Sequence, residues 1–456
     1  MLDYLLKKLV FNAVVESPFR AIIVQILKNC ARMNIFIPLW VKYISSKLIP
    51  IDEKDEKDEK NNGEKYIRIL VLNYDRWLPD LNVLKAHSEV CLIALPFKYQ
   101  AFLNALSVNN LVKEGSKRNF EENVLHANPF SYLHCFLSAF IKKNRIDCII
   151  SCAFHYRADQ SWQIASGSSN VPFIVLQKEI TVDDGSTEYV TEMFRKRLSF
   201  RGNKLLVNTS SAREVFIEAG SCESKDIVVT GHLKIDSIYR KTKEKTKSQT
   251  KKQIVVFSFL PSVVSGLGLA LKVKGYRHPY DRHKGFSKLF EQVHCAMAEI
   301  AVKNPDIVVV IKCKWLGKWE EMVNDAIATE SSLYVDDIPN LIVTDGPAYK
   351  YMEESRVVIS FSSTSTIESR LYRRPVIIPF FAEAAGKYKR YVYFKKYFDD
   401  FVIATSKEDL KRKVLQYTAN ELKAPPLSNE MIKEYITYFD GSICDRVVSE
   451  IKKSIT

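Results

Sequence analysis

The sequence predicts an α/β protein made of two doubly wound parallel sheets, and three observations lead to that class. Short runs rich in Val, Ile and Leu alternate with longer helix-like segments, the pattern of strands joined by crossover helices. The runs are apolar throughout rather than alternating, as strands covered on both faces must be. The alternation also stops and restarts across 240–253, RKTKEKTKSQTKKQ, a cationic stretch without an apolar face that reads as an interdomain connection. With 456 residues there is room for two full cores.

In chain order, residues 1–50 form an amphipathic unit with seven Lys/Arg and two Asp/Glu. Its apolar region is interrupted by Glu16, Pro18 and Arg20, which argues against a membrane span. Helices over 2–15 and 20–32, followed by IFIPLWVKY, suit either an anionic membrane surface or the protein's own core. Residues 51–64, with Asp-Glu-Lys repeats and Asn-Asn-Gly, read as a charged linker. An N-terminal domain over 65–239 is expected to carry strands at 67–73, 90–95, 148–151, 172–176, 205–208 and 227–230. A C-terminal domain over 254–456 is expected to carry strands at 254–259, 307–312, 341–343, 357–359 and 376–378, and a long helix over 286–304. Ligands in such sheets sit at the carboxyl ends of strands, so a cleft between the domains is the expected active site.

The formal charge of +14 calls for anionic partners. No nucleic-acid-binding signature accompanies it, and the cations are spread along the chain, so nucleic acid is not expected. Nine cysteines without a Cys-x-x-Cys pair or paired histidines predict neither a metal site nor a disulfide frame, and a reducing cytoplasm is the expected location.

The segment 357–379, VVISFSSTSTIESRLYRRPVIIP, is a strand, a hydroxyl cluster, a helix and a second strand. Free N–H groups at that helix start, with the hydroxyls of Ser362, Ser363, Thr364, Ser365 and Thr366, suit a phosphate or diphosphate, and Glu368 in the first turn suits a ribose diol. The strand at 307–312 runs out into Lys312 and Lys314, charges that a departing phosphate needs.

Together with VVTGHLKID at 228–236, these segments resemble the GT-B glycosyltransferases, particularly bacterial enzymes that build surface polysaccharide, and the related CDP-glycerol glycerophosphotransferases. The resemblance spans roughly 65–410 and implies two Rossmann-like domains, a nucleotide-sugar donor held by the second with its base lined by the strand and helix around Gly346, whose backbone groups would read the base edge, and no metal or other cofactor. Lys-Cys-Lys replaces the His-Pro or Arg/Lys pair usual in that group, and His278-Pro279, in a cationic loop, stands too early to be its equivalent. Transfer to an alcohol needs a general base. Candidates are Glu179, Asp183 and Asp184 after the strand at 172–176, where Asp183-Asp184-Gly185 resembles the acidic motif of bacterial sialyltransferases, and His155 after an earlier strand. An aromatic and cationic stretch at 386–398 suits a lipid-linked acceptor, or a strip of aromatics packed on the core. The expectation is a cytoplasmic glycosyltransferase, peripheral to the membrane, moving a sugar to a surface-polysaccharide or lipid-linked acceptor. Alternatives are a glycerophosphotransferase or CMP-sugar transferase, a UDP-sugar 2-epimerase, and a non-catalytic nucleotide- or glycan-binding protein.

Overall fold

The computed structural model describes residues 35–51, 66–104, 128–155, 157–178, 183, 185–244, 252–261 and 285–455, with Ile26, Asn29, Cys30 and Met33. The helices expected within 1–32, the linker 52–60, Glu179, Asp184 and the loop with His278-Pro279 lie largely or wholly outside them. The chain forms two compact units: unit 1 comprises 1–180, 188–237 and 436–456, and unit 2 comprises 181–187 and 238–435.

Unit 1 is built on a seven-stranded sheet of β1 (Ile49–Pro50), β2 (Ile67–Val71), β3 (Val90–Ala94), β4 (Cys148–Ser151), β5 (Phe173–Leu176), β6 (Lys204–Val207) and β7 (Ile227–Val229). Their order is β1-β3-β2-β4-β5-β6-β7. All pairs are parallel except β1 with β3. The short β1 lies antiparallel along the β3 edge, so that edge is covered rather than left open. β3, β4 and β5 are buried at every residue, as their unbroken apolar sequences require. Helix Ile37–Ser45 buries Trp40, Val41, Tyr43 and Ile44. Tyr132 Oη donates to Ile35 O at 2.9 Å, and Asn144 donates to Ser45 Oγ at 2.9 Å, so the aromatic part of the N-terminal segment packs on the unit's own core. Among the described residues no helix is long and apolar enough to cross a membrane.

Unit 2 carries six parallel strands: β8 (Gln253–Phe257), β9 (Val308–Lys312), β10 (Leu341–Thr344), β11 (Val357–Ser360), β12 (Val376–Pro379) and β13 (Val402–Ala404). Their order, β10-β9-β8-β11-β12-β13, is the 3-2-1-4-5-6 order of a Rossmann sheet. Helix Ser287–Lys303 supplies the core beneath it and buries Leu289, Phe290, Val293, His294 and Met297. Tyr388, Val392 and Phe394 are buried while Lys387, Lys389 and Arg390 face solvent, so the stretch at 386–398 is an aromatic strip on unit 2 with a charged outer face.

Two Rossmann-like doubly wound units therefore match the expected fold class, and two boundaries differ from the expected ones. The division falls at Ser237/Ile238 inside helix Lys234–Glu244, so the connection at 240–253 begins as helix. Residues 436–456 leave the expected C-terminal domain for unit 1. Asp236, wholly buried, accepts from Ile443 N at 3.1 Å and Cys444 N at 2.8 Å. Its carboxylate satisfies donors in the first turn of helix Ile443–Ile455, where an anion also meets the positive end of the helix dipole.

Candidate functional site

In a doubly wound sheet the ligand crevice opens where the chain reverses its direction of winding, at the carboxyl ends of the strands on either side. In unit 2 that point lies between β8 and β11. The chain leaves β11 through Phe361 and turns at Ser362, whose φ of 47° lies in the left-handed region. Ser363 is the extended N-cap of helix Thr364–Leu371 and accepts from Ser365 N at 3.3 Å. The hydroxyls divide into two sets. Ser365 and Thr366 are buried and bond Ser360 Oγ at 3.0 and 2.8 Å, which ties the helix start to the strand end. Ser362, Ser363 and Thr364 stand on the accessible side, with Ser362 Oγ accepting from Tyr393 N at 3.3 Å. Glu368, half-buried, lies one turn further along.

Lys312 ends β9 and is 9% exposed. Burial pushes its amine below the usual lysine range, opposed by the nearby Asp345 carboxylate, and the ammonium donates to Cys313 O. Lys314 is exposed. Gly346 N already donates to Thr344 Oγ1 at 3.1 Å, so its N–H is engaged within the β10 turn. A Cβ there would stand 2.7 Å from Tyr351 Oη, so the tyrosine would have to shift to admit one.

Of the expected bases, Asp183 is 6% exposed and belongs to unit 2. Its Oδ2 accepts from Phe394 N at 2.9 Å and Tyr435 Oη at 2.8 Å, and its Oδ1 accepts from Gly185 N at 3.3 Å. That carboxylate is committed to holding segments of unit 2 together. His155 packs edge-on to Phe154 and Phe194, with ring centroids 5.7 and 5.5 Å apart. Burial, with Arg197 and Arg76, pushes its imidazole down to about 3, so it is neutral at physiological pH.

Unit 1 presents two polar groupings beyond the expected ones. At the exit of β2, Asn73 adopts φ 55° and donates through Nδ2 to Asp159 Oδ1 at 3.2 Å and Ser151 Oγ at 3.4 Å. Asp159 is 2% exposed, and its Oδ2 has no partner among the described residues. Burial pushes its carboxyl up to about 7, with Asn73, Arg76 and Ser151 pulling the other way. The grouping sits where β2 and β4 adjoin, the winding reversal of this sheet. In the second grouping, His232 Nδ1 lies 2.9 Å from Asp80 Oδ1 and Nε2 lies 3.2 Å from Lys178 O. Burial opposes ionisation of Asp80, but His232, Lys234 and Lys178 overcome it and hold the carboxyl below its ordinary value. Trp77, Gln177, Thr230 and Gly231 join Asp80 and His232 around a cavity of about 20 Å³. A sequence signal existed for His232, inside VVTGHLKID, but its partner Asp80 is distant in the chain. Among the described residues no group of three or more His, Cys, Asp or Glu is arranged to hold a metal ion.

No protein-family model matches the sequence, and no curated protein matches it. In structure the chain is similar to a UDP-N-acetylglucosamine 2-epimerase, with TM-score 0.46, 13% identity, and 85% of this chain and 96% of that one covered. It is similar to a UDP-GlcNAc 2-epimerase from Neisseria meningitidis bound to UDP-GlcNAc, with TM-score 0.44, 11% identity, and 85% and 99% covered. It is also similar to a glycosyltransferase from Rickettsia africae ESF-5, with TM-score 0.44, 14% identity, and 86% and 99% covered. Likenesses with scores this low lend no weight to any assignment of substrate or reaction.

Proposed function

We propose that the protein is an enzyme of nucleotide-sugar chemistry, a metal-independent GT-B glycosyltransferase whose unit 2 holds the donor. One observation carries this reading: the Rossmann strand order of unit 2 places the Ser362–Thr364 turn and the start of helix Thr364–Leu371 at the winding reversal. There the positive end of the helix and the accessible hydroxyls suit a diphosphate, Glu368 suits the ribose, and Lys312 and Lys314 supply positive charge. In the reaction a base takes the proton of the acceptor hydroxyl, its oxygen attacks the anomeric carbon, and the carbon–oxygen bond to the diphosphate breaks with its electron pair. The charge on the departing phosphate falls to the helix start, within the positive potential of Lys312 and Lys314. Glu179 and Asp184 are the acceptor-side carboxylates of this reading, and His232, backed by Asp80, is an imidazole on the edge of unit 1's sheet. The acceptor is a surface-polysaccharide or lipid-linked glycan.

A second reading, a UDP-sugar 2-epimerase, gains from Asp80, Asp159 and His232, because epimerisation needs several acid–base groups where the sequence offered few. Thermal-shift titration of the full chain against UDP, GDP, CDP, CMP and ADP tests the shared premise. One nucleotide is expected to stabilise the wild type by about 2.7 kcal/mol at a hundredfold excess over Kd. That ligand-induced gain should shrink in Ser363→Ala and Glu368→Ala, each compared with its own unliganded baseline. Absence of any shift in the wild type overturns the reading. NMR of the matching UDP-sugar then separates the two activities, since a new 2-epimer marks the epimerase and acceptor-dependent nucleotide release marks the transferase.

A further inference from the structure

The chain has five tryptophans. Trp40, Trp77, Trp162 and Trp319 are at most 7% exposed, whereas Trp315 is 38% exposed. Trp315 is not a loosely held surface residue. Trp319 packs edge-on against it, with ring centroids 5.0 Å apart and planes at 81°. Trp319 Nε1 donates to Ser258 Oγ at 2.9 Å, the Ser258 hydroxyl lies 2.9 Å from His294 Nε2, and His294 Nδ1 lies 2.7 Å from Phe290 O. His294 is wholly buried, and burial pushes its imidazole down to about 4, so the ring is neutral. One set of proton positions satisfies the whole chain: Nδ1–H donates to the carbonyl, Nε2 accepts from the serine hydroxyl, and that hydroxyl accepts from the indole. An exposed indole is thus braced by a hydrogen-bonded relay that runs into the core.

Its location is as specific as its support. Trp315 follows Lys312 at the carboxyl end of β9, between the exposed Lys314 and the turn at Gly317, which has φ 76°. β9 pairs on one side with β10, where Lys312 stands opposite Thr344, and on the other with β8. Two strand spacings, about 10 Å, separate the ends of β9 and β11. A nucleoside diphosphate, with its base and phosphates at opposite ends, can bridge that separation.

We propose that Trp315 is the stacking platform for the nucleobase, its ring face meeting the base while the phosphates reach the Ser362–Thr364 turn. The proposal rests on the nucleotide reading of unit 2 and adds the group that grips the base. A stacked face tolerates any base, so edge groups near Gly346 would be left to discriminate among them.

Calorimetric titration of the full chain with UDP, CDP, GDP and ADP, run on wild type, Trp315→Ala and Trp315→Phe and paired with tryptophan emission, tests it. The nucleotide that binds wild type is expected to bind Trp315→Ala roughly 5- to 150-fold more weakly, the range of base–aromatic stacking. It should bind Trp315→Phe within about threefold of wild type, because a flat ring remains. Binding should also quench emission in the wild type and not in Trp315→Phe. Equal binding by wild type and Trp315→Ala overturns the stacking role and leaves the nucleotide site standing, as does Trp315→Phe binding as weakly as Trp315→Ala. If no nucleotide binds the wild type, the reading of unit 2 fails and takes this proposal with it.

Discussion

Replacing Asp159 by asparagine probes the buried carboxyl at the winding reversal of unit 1. In the unfolded chain such a group titrates near 3.8, and in the folded protein burial pushes it up to about 7. Between those values the folded state keeps a proton that the unfolded state has released, so stability falls as pH rises through the window and is lowest above it. A gap of roughly three pH units, at about 1.4 kcal/mol each, sets the penalty at about 4 kcal/mol once the carboxyl is ionised in the folded protein. Asparagine keeps an oxygen for Asn73 Nδ2 and places a neutral amide where Oδ2 stands, so the variant should not lose stability over that range on this residue's account. Urea unfolding followed by tryptophan emission suits the measurement, because Trp77 and Trp162 are both buried in unit 1. At about pH 3, below both values, the two proteins should be close in stability, and at about pH 8 the variant should be the more stable by up to about 4 kcal/mol. Parallel stability curves for wild type and variant across the window would refute the reasoning, since the titration of every other group is common to both.

Two further substitutions address the other carboxylates. Asp183→Asn should destabilise unit 2 by about 1–3 kcal/mol, because it disturbs the acceptor for Phe394 N and Tyr435 Oη, while the folded fraction keeps its turnover. Unchanged stability with abolished turnover would instead identify Asp183 as the base. Asp236→Ala strips the first turn of helix Ile443–Ile455 of two hydrogen bonds and should cost unit 1 about 1–3 kcal/mol. Limited proteolysis should then cleave near 436–442 sooner than in the wild type, and equal protection would contradict that role.

The strands were legible wherever burial on both faces wrote an unbroken apolar run, as in Val357–Ile359 and Phe173–Leu176. Val402–Ala404, with three residues and an exposed Thr405 after it, carries too little pattern to be read as a strand before its neighbour β12 is known. Strand order was not legible, because it is a property of tertiary pairing. The hydroxyl cluster was half legible: its place after a strand and before a helix could be read, but not that Ser360 draws Ser365 and Thr366 inward. The partners of Asp183 were hidden for a related reason. Asp-Asp-Gly reads as a turn or an acid–base site, and the Phe394 amide that occupies its carboxylate lies 211 positions away. Asp80 and His232 escaped notice on the same account, being brought together only by the exits of separate strands.

The bond from Asp236 to Ile443 also orders events in time. The two residues are 207 positions apart, and nearly all of unit 2 is synthesised between them. At roughly 5–20 residues per second a ribosome needs about 10–40 s to travel that distance. During most of this interval Asp236 has been made and helix Ile443–Ile455 has not, so unit 1 waits without the two amides that later donate to that carboxylate while unit 2 is free to mature. The nascent protein should therefore depend on chaperones mainly through its first-made half, and slowing translation within 238–435 should lengthen that dependence without altering the finished fold.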